Sequence, residues 1–372
     1  MDLLTLQEYW WFLVSIIGAL FVFMTFVQGG QTLLYSLGHT EDERDLLINS
    51  LGQKWELTFT MLVMFGGALF AAFPLFYAVS FGGAYYIWMG ILFCFIIQAV
   101  AYEYRKKPDN LYGERFYENL LYINGSVGIF LIGVALGTLF TGGNFIVNSS
   151  HLSHWTMQSY GLEALFNPFN IAFGLMLVFL SRLQAGLYFL NSLDAPTIIN
   201  RIKKVVTINF IMFLILFLLV LGTILFSEGL IYNSATGIVS VKSMKFLYTL
   251  LDIPLLFVLL IVGILFLLYG VFIALIKNNQ KAIWFTSFGV VLTVMILMVI
   301  LGLNNSVYYP SLADIQSSLT IENSSGSYYT LSVMAVVSVL VPIVIGYIFF
   351  VWRSMNKTKL TIDEIKSNSH HY

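Results

Sequence analysis

The stretch NSLGQKWELTFTMLVMFGGALFAAFPLFYAVSFGGAYY, residues 49–86, decides the fold of this chain. Its polar start, residues 49–54, predicts the end of one element and the beginning of another. No charged residue occurs in 58–79, and this run is long enough to cross the hydrocarbon core of a bilayer as a helix. An acid, Glu56, follows Trp55 at the head of the apolar run. The stretch therefore predicts a transmembrane helix with a charged group at the membrane boundary.

Small residues inside the same run predict close helix packing. Gly66 and Gly67 are followed by Ala68, Ala71 and Ala72. Because lipid tails are as apolar as the side chains, membrane helices associate through packing, and small residues let two backbones approach each other. We therefore expect a tight helix seam at Gly66 and Gly67, which a leucine at Gly67 would block.

The composition supports a membrane protein. Of 372 residues, 59% are hydrophobic and 10% are charged, with a mean hydropathy of +0.85. Soluble domains carry roughly 25% charged residues. The formal net charge is −1, and no long basic stretch indicates nucleic-acid binding. A single cysteine, Cys94, leaves neither a disulfide nor a thiolate metal site within the chain.

Apolar runs predict nine spans, at about 9–37, 55–79, 82–104, 116–140, 166–191, 205–226, 246–276, 282–303 and 328–351. With the N-terminus outside, only Lys242 and Lys245 of the 18 Lys and Arg residues fall in outer connections, as the positive-inside rule requires. We therefore predict an all-α integral membrane protein with nine transmembrane helices, N-out and C-in. The expected division is two four-helix bundles (1–141 and 166–303), outer connections at 142–165 and 304–327, a ninth helix at 328–353 and a cytoplasmic tail at 354–372.

The five histidines argue against a haem on this chain. They all lie in predicted loops or in the tail: His39, His151, His154, His370 and His371. A haem in a membrane bundle usually takes at least one axial histidine from a helix. Ligation by methionine alone stays open among the 13 Met residues, although their spread along core-like faces favours a packing role. We expect neither a bound haem nor a metal site.

Acids near the membrane are the first candidates for function, because an ionisable group there is costly to bury. Glu56 heads the second span and Glu103 ends the third. Glu56 and Glu118 also fit the favourable first turn of a helix. Glu103 could instead pair with Arg105 or Lys107 at the water boundary, or conduct protons with a pKa raised by burial.

The chain resembles a known family along nearly its whole length: subunit II of the bacterial cytochrome bd quinol oxidases. The matching pieces are Asn49-Ser50 with Trp55-Glu56; Gly66-Gly67-Ala68-Leu69-Phe70-Ala71-Ala72 with Pro74 and Tyr77; Tyr102-Glu103-Tyr104-Arg105; Asn167-Pro168-Phe169; Gln184-Ala185-Gly186; Leu331-Ser332-Val333-Met334, Leu340-Val341-Pro342-Ile343, Tyr347 and Trp352; and Leu360-Thr361-Ile362-Asp363-Glu364-Ile365 with His370-His371-Tyr372. The resemblance marks these as structural or interface positions: Trp55, Gly66, Gly67, Pro74, Asn167, Pro168, Gln184 and Gly186.

The resemblance implies a haem-free subunit that pairs with subunit I. In this family subunit I carries two b-type haems, one d-type haem and the quinol-oxidising loop. The complex oxidises membrane quinol, reduces O₂ to water and takes protons from the cytoplasm across the bacterial inner membrane. Subunit II supports the interface and, in some members, lends acids to a proton path or holds a structural quinone. A small single-helix accessory subunit is a further expected partner.

This chain departs from the family pattern at four acidic or basic positions. Many members carry an acid in the first span, where this chain has Val27 within Thr25-Phe26-Val27-Gln28-Gly29. A family Trp-Asp pair becomes Trp55-Glu56, and Gln98 and Glu103 replace a basic residue and an Asp. The resemblance therefore leaves Glu56 and Glu103 as the expected proton-path acids.

Two other readings stay open at this point. A secondary transporter would place polar residues on broken helices at matching positions in two repeats. Only Asp252-Ile253-Pro254 suggests such a break, and it has no counterpart in the other half. A purely structural scaffold is the third reading.

Arg182 lies near the inner end of the fifth span, and its side chain is long enough to extend to lipid headgroups.

Overall fold

The computed structural model describes residues 2–52, 54–355 and 359–362. Within these ranges, nine helical segments are long and apolar enough to span a membrane. They are Leu3–Gln31, Glu41–Ala72, Tyr85–Tyr104, Glu114–Thr141, Pro168–Ser192, Pro196–Phe226, Pro254–Leu275, Ala282–Gly302 and Tyr328–Met355. This confirms the predicted helical class and the nine predicted spans. The orientation and the grouping into two four-helix bundles stay predictions.

Several spans consist of more than one helix. The α-helices in chain order are α1 (Leu3–Met24), α2 (Phe26–Gln31), α3 (Leu34–Leu37), α4 (Glu41–Gly52), α5 (Trp55–Ala72), α6 (Pro74–Tyr77), α7 (Tyr85–Tyr104), α8 (Glu114–Ile123), α9 (Ile129–Thr141), α10 (Pro168–Ser192), α11 (Pro196–Phe226), α12 (Lys245–Asp252), α13 (Pro254–Leu275), α14 (Ala282–Gly302), α15 (Ile321–Ser324), α16 (Tyr328–Val337) and α17 (Leu340–Met355). The predicted boundary at residues 49–54 is confirmed, because α4 ends at Gly52 and α5 begins at Trp55.

The interruptions have local causes. In the first span, the Thr25 and Thr32 hydroxyls donate to the carbonyls of Val22 and Gly29, both at 2.6 Å. Such bonds compete with the helical backbone pattern and bend a helix. A wider π-helical turn at Asn124–Gly128 interrupts the fourth span, and another at Ala78–Gly83 lies between the second and third spans. The first span therefore bends beside the widened turn of the fourth.

Two short β-hairpins in the connections depart from the all-α expectation. Strand β1 (Phe145–Val147) pairs antiparallel with β2 (Ser153–Trp155), and β3 (Glu228–Asn233) pairs with β4 (Ile238–Ser243). Hydropathy did not reveal these strands, because they lie between spans. They cover one end of the helical bundle.

Close helix approaches occur at glycines other than the predicted pair. A side chain at Gly29 would lie less than 3.0 Å from the backbone of Ser181 and Arg182, so α2 and α10 meet backbone to backbone. By contrast, a Cβ at Gly67 meets no atom within 4 Å, and one at Gly66 meets only the Phe81 ring, at 3.5 Å or more. Within the described chain no neighbouring helix closes on this pair: Gly66 is buried beside the Phe81 ring and Gly67 is exposed, so the seam stays a prediction.

The ninth span is held by few residues. Only Leu331 in α16 and Trp352 in α17 are buried. The Trp352 ring packs against Phe26 at 5.3 Å and Tyr188 at 5.9 Å between centroids. The Lys54 ammonium lies 5.8 Å from the Trp352 ring centroid, within the range of a cation–π contact. Ser338, between α16 and α17, is also buried and contacts the Tyr9 hydroxyl, and most other side chains of this span are exposed or partly exposed. Of the tail, only 359–362 is described, so Asp363-Glu364-Ile365 and His370-His371-Tyr372 lie outside the described residues.

A buried lysine at the start of α12 makes the stability of the fold pH-dependent. The Lys245 ammonium donates to the Asn304 carbonyl at 2.6 Å and to the Thr249 hydroxyl at 3.2 Å. Burial first, and then the charge of Lys242, lower the pKa of Lys245 from 10.5 to about 8, against the opposing effect of Asp252. The unfolded chain therefore binds more protons than the folded chain between these two values.

We expect the thermal unfolding midpoint of the purified protein to rise between pH 8 and pH 10.5, because stability increases with pH wherever the unfolded state binds more protons. The measurement is a thermal scan in detergent at a series of pH values. Lys245→Met is the control, and its midpoint should lack this rise. An equal rise in the Met variant would show that other groups cause it.

Candidate functional site

Glu56, the first of the two predicted proton-path acids, lies on the exposed surface of the chain. It stands in the first turn of α5, and its side chain is exposed. Its carboxylate makes no ion pair or hydrogen bond with the described residues. The neighbouring Trp55 stacks on Tyr102 of α7, with ring centroids 5.9 Å apart and planes at 11°. This stack joins the second span to the third at the level of Glu56.

Glu103 also faces outward. Its carboxylate pairs with the Lys107 ammonium at 2.9 Å, one helical turn further on. The two side chains are 63% and 53% exposed. Of the alternatives left by the sequence, the pairing with Lys107 is therefore the one the structure contains. The two predicted acids lie on neighbouring spans without sharing a described contact.

A long apolar groove of about 500 Å³ separates the second and third spans. Its walls include Phe59, Gly67 and Phe70 from α5, and Trp88 and Leu92 from α7. The groove lies on the exposed surface of the chain, where the side chains of Phe59, Phe70 and Leu92 are exposed. The predicted interface glycines therefore line an open apolar groove.

A buried ion cluster, which the sequence did not reveal, joins spans two, three and four. The Arg105 side chain is fully buried, and its Nη2 lies 2.5 Å from Asp45, 2.9 Å from Glu114 and 2.7 Å from Glu118. Burial acts to lower the pKa of Arg105, but the charges of Asp45 and Glu118 and their hydrogen bonds raise it overall. Arg105 therefore stays charged in the interior.

Two further cations complete the cluster. Arg44 pairs with Glu118 at 3.0 Å, and Lys106 lies 2.8 Å from both Asp45 and Glu114. Glu118 is the fifth residue of α8 and is fully buried, so the expectation that it lies in the first turn of a helix is wrong for this residue. The available signal was the spacing of Glu114 and Glu118, which places both on one face of a helix.

A second buried polar group lies where the first span bends. The side-chain oxygen of Gln98 accepts from Gln28 at 3.0 Å, from Gln31 at 2.8 Å and from Asn124. Gln31 also donates to the Tyr102 hydroxyl at 3.2 Å. This amide network has no ionisable carboxylate or base, in keeping with the sequence at Val27 and Gln98. None of its amides can take up or release a proton at ordinary pH.

A cavity of about 270 Å³ opens at the other end of the bundle, between α7, α9 and α10. Trp88 and Trp155 contribute aromatic walls, and Thr138, Asn170 and Tyr309 contribute polar groups. Glu163 at its edge accepts from the Ser159 hydroxyl at 2.5 Å, the Gly161 amide at 3.0 Å and Asn144 at 3.3 Å, so it organises the connection above. The cavity is large enough to receive one aromatic ring.

Other predicted structural positions act in helix geometry. Asn167 caps α10 by accepting from the amide of Phe169 at 2.9 Å, and Pro168 occupies the first turn. Pro74 likewise begins α6. Buried Gln184 accepts from the Ser287 hydroxyl at 3.5 Å, and a Cβ at Gly186 would contact Val206. Gln184 and Gly186 thus join the fifth span to the eighth and the sixth.

Metal ligands are not grouped in the described ranges 2–52, 54–355 and 359–362, where no set of three or more His, Cys, Asp and Glu could hold an ion. His39, His151 and His154 lie in connections, and Cys94 is buried in α7. His370 and His371 lie outside the described residues. The described spans therefore offer no histidine that fits the axial position of a haem.

Comparison with known proteins gives a consistent result. The chain is 26% identical to the cytochrome bd-I ubiquinol oxidase subunit 2 of Escherichia coli strain K12 over 384 aligned positions, covering 99% of each chain. It is 28% identical to the cytochrome bd ubiquinol oxidase subunit 2 of Bacillus subtilis, covering 94% of this chain and 96% of that one. Its fold matches a chain of the bd oxidase structure from Geobacillus thermodenitrificans with a TM-score of 0.59, at 12% identity and 95% and 99% coverage. The model of the family described as cytochrome bd terminal oxidase subunit II matches residues 6–355, and this chain belongs to that family.

Proposed function

We propose that this chain is the haem-free subunit II of a bacterial quinol oxidase that reduces O₂ to water at the cytoplasmic membrane with proton uptake from the cytoplasm. The observation that carries the proposal is the family match over residues 6–355, joined by relatives that are named as quinol oxidase subunits along their whole length. The position of the described histidines, all outside the spans, supports placing two haems b and one haem d on subunit I. The transporter reading gains no support, since family membership accounts for the whole chain.

The groove between α5 and α7 is the surface we assign to subunit I. An apolar face with exposed aromatic rings and an open glycine fits a second membrane helix, because glycine lets backbones approach. Glu56 and Glu103 stand at one end of this face. A partner helix bound in the groove would cover both carboxylates and reduce their exposure to water. A small single-helix accessory subunit stays among the proposed partners.

Glu56 is the acid that we assign to proton transfer, with Glu103 as its neighbour on the third span. The amide network around Gln98 cannot carry a proton by titration, so we place an acid-based route along the outward face of spans two and three, where Glu56 and Glu103 lie. Glu103 is already paired with Lys107, whereas Glu56 has no partner in the described chain. Glu56 is therefore the freer of the two to exchange protons.

We expect Glu56→Gln to slow quinol oxidase turnover by roughly a hundredfold or more, the scale of a lost proton-transfer group. Turnover is measured on the affinity-tagged complex at matched haem content, which a reduced-minus-oxidised visible spectrum provides. Glu228→Gln, an exposed acid in the β3–β4 hairpin, is the control and should leave the rate unchanged. Equal rates for Glu56→Gln and the unmodified complex would contradict the role of Glu56, and a colourless preparation would contradict the proposed function itself.

The cavity between α7, α9 and α10 is the place we assign to a structural quinone. Trp88 and Trp155 could stack on the quinone ring, and the Asn170 amide, which donates one hydrogen to the Ala164 carbonyl at 3.2 Å, could donate the other to a quinone carbonyl. The described chain also has a smaller cavity of about 60 Å³, lined by apolar side chains and Thr293, which is too small for a quinone ring. Size and chemistry therefore both favour the larger cavity.

A further inference from the structure

A polar pocket of about 540 Å³ opens where α3, α4 and α8 meet, at the same end of the bundle as the ion cluster. Its side chains are those of Tyr35, His39, Arg44, Arg115 and Asn119. Two guanidinium groups and a carboxamide bring hydrogen-bond donors to one opening. The lining contains no carboxylate. Its chemistry fits an anion.

The donors in this pocket are only partly used. Arg44 donates from Nε to Glu118, which leaves its two terminal nitrogens for another acceptor. Glu118 is in turn shared with Arg105 at 2.7 Å, so its charge is already matched. Exposed Arg115 makes no ion pair or hydrogen bond within the described part of the chain. Tyr35 donates to the carbonyl oxygen of Asn119 at 2.9 Å, which leaves the Asn119 amide nitrogen free to donate.

The helix that carries Arg115 continues into an exposed apolar surface. Arg115, Asn119 and Tyr122 share one face of α8, because residues three and four apart are neighbours on a helix. Tyr122 and Ile123 are 41% and 42% exposed. They lie seven and eight residues beyond Arg115, about 10–12 Å along the axis. Donors at the helix end followed by an apolar surface match the order of headgroup and acyl chain in a lipid.

A second cation lies beside this surface. The Arg182 Nε on α10 is buried without an acceptor in the described chain, and Tyr122 is the titratable group near enough to interact with it. Arg182 is ten residues before the end of α10 at Ser192, about 15 Å along the axis, so it is further inside the span than the sequence suggested. A charge at this depth calls for an oxygen acceptor from outside the bundle.

We propose that the pocket at Arg44 and Arg115 binds the phosphate of an anionic phospholipid. One acyl chain follows α8 past Tyr122 and Ile123, and Arg182 takes a glycerol ester oxygen. Basic pockets between membrane helices bind anionic headgroups in this way. The site lies apart from the groove assigned to subunit I and does not depend on the oxidase proposal. Free phosphate presents the same tetrahedral oxyanion as the lipid headgroup. The apolar surface at Tyr122 and Ile123, which an acyl chain would cover, favours the lipid.

The test is a lipid titration of the purified, detergent-solubilised complex, read by its thermal unfolding midpoint. The probes are dioleoyl phosphatidylglycerol, dioleoyl phosphatidylcholine and inorganic phosphate. We expect phosphatidylglycerol to raise the midpoint with saturation. Arg115→Gln should require roughly fivefold more lipid for the same rise, the effect of one basic residue near a lipid surface. Arg182→Gln should also weaken the response, whereas Arg353→Gln, an exposed arginine on α17, is the matched control and should not.

Each contrary outcome overturns a defined part of the proposal. An unchanged titration in Arg115→Gln would remove the pocket as the binding site. An equal response to phosphatidylcholine would show that the headgroup charge is not recognised. Saturation by millimolar inorganic phosphate alone would replace the lipid with a free anion. Since none of these readouts uses turnover, they stay informative if the complex proves not to be a quinol oxidase.

Discussion

Arg105→Gln is expected to destabilise the protein by about 3–5 kcal/mol, because it removes the central cation of a buried cluster and leaves carboxylates without their main partner. Asp45 and Glu118 would each lose a contact of 2.5–2.7 Å. Arg44 and Lys106 remain nearby, but neither occupies the position between the two acids. The measurement is the thermal midpoint of the purified complex together with its amount in the membrane.

Lys107→Gln is the matched control for this experiment. Lys107 lies two residues after Arg105 and also forms an ion pair, with Glu103 at 2.9 Å. The side chains of Lys107 and Glu103 are both more than half exposed. Exposed pairs contribute only about 0–1 kcal/mol. A second variant, Arg105→Lys, keeps the charge but loses the planar fork that reaches several carboxylates, so it should restore only part of the stability. Similar thermal midpoints for Arg105→Gln and Lys107→Gln would show that water solvates the carboxylates of the cluster despite their burial.

The second large effect is expected at Gly29. Gly29→Val should destabilise the fold by about 3 kcal/mol or more, at the upper end of the cost of overpacking. The added atoms would meet the backbone of Ser181 and Arg182, which cannot move aside as a flexible side chain can. Since α2 lies between the fourth span and α10, the damage should extend to the packing of the first, fourth and fifth spans. Limited proteolysis and the thermal midpoint of the complex both report it.

Gly67→Val separates a packing effect inside the chain from one at its surface. A Cβ at Gly67 meets no atom within 4 Å, so the chain itself should fold as before. If subunit I occupies the groove, the same change should lower the amount of haem protein that co-purifies with the tagged chain. A chain unfolded by Gly67→Val, or one unaffected by Gly29→Val, would reverse the assignment of the two glycines.

Hydropathy was sufficient for the spans but not for their contacts. The nine apolar runs were readable because each has to satisfy its backbone hydrogen bonds within itself in lipid. Small residues show that a close approach is allowed, but they do not show which helix approaches. Gly66 and Gly67 stood out in an obvious cluster, yet no helix of the described chain closes on them, whereas Gly29 contacts Ser181 and Arg182 across about 150 residues of sequence.

The same limit explains the candidate site. Glu56 and Glu103 could be singled out because each adjoins an apolar run. Asp45, Arg105 and Glu118 looked like ordinary charges at helix ends, and only the folded chain brings them into one buried group. The amide network was equally hidden, since Gln31, Gln98 and Asn124 belong to three different spans. Burial of a polar residue is a property of its neighbours in space, which a local pattern does not contain.

The ion cluster also has a consequence for the order of events during synthesis. All of its members lie between residues 41 and 118, so the full set of charges exists as soon as the fourth span has left the ribosome. Spans two, three and four can then be tied together at one end while the last five are still being made. The contact of Gly29 with Ser181 has to wait for the fifth span. The charged end of the nascent chain is thus assembled first, and the later helices pack against it.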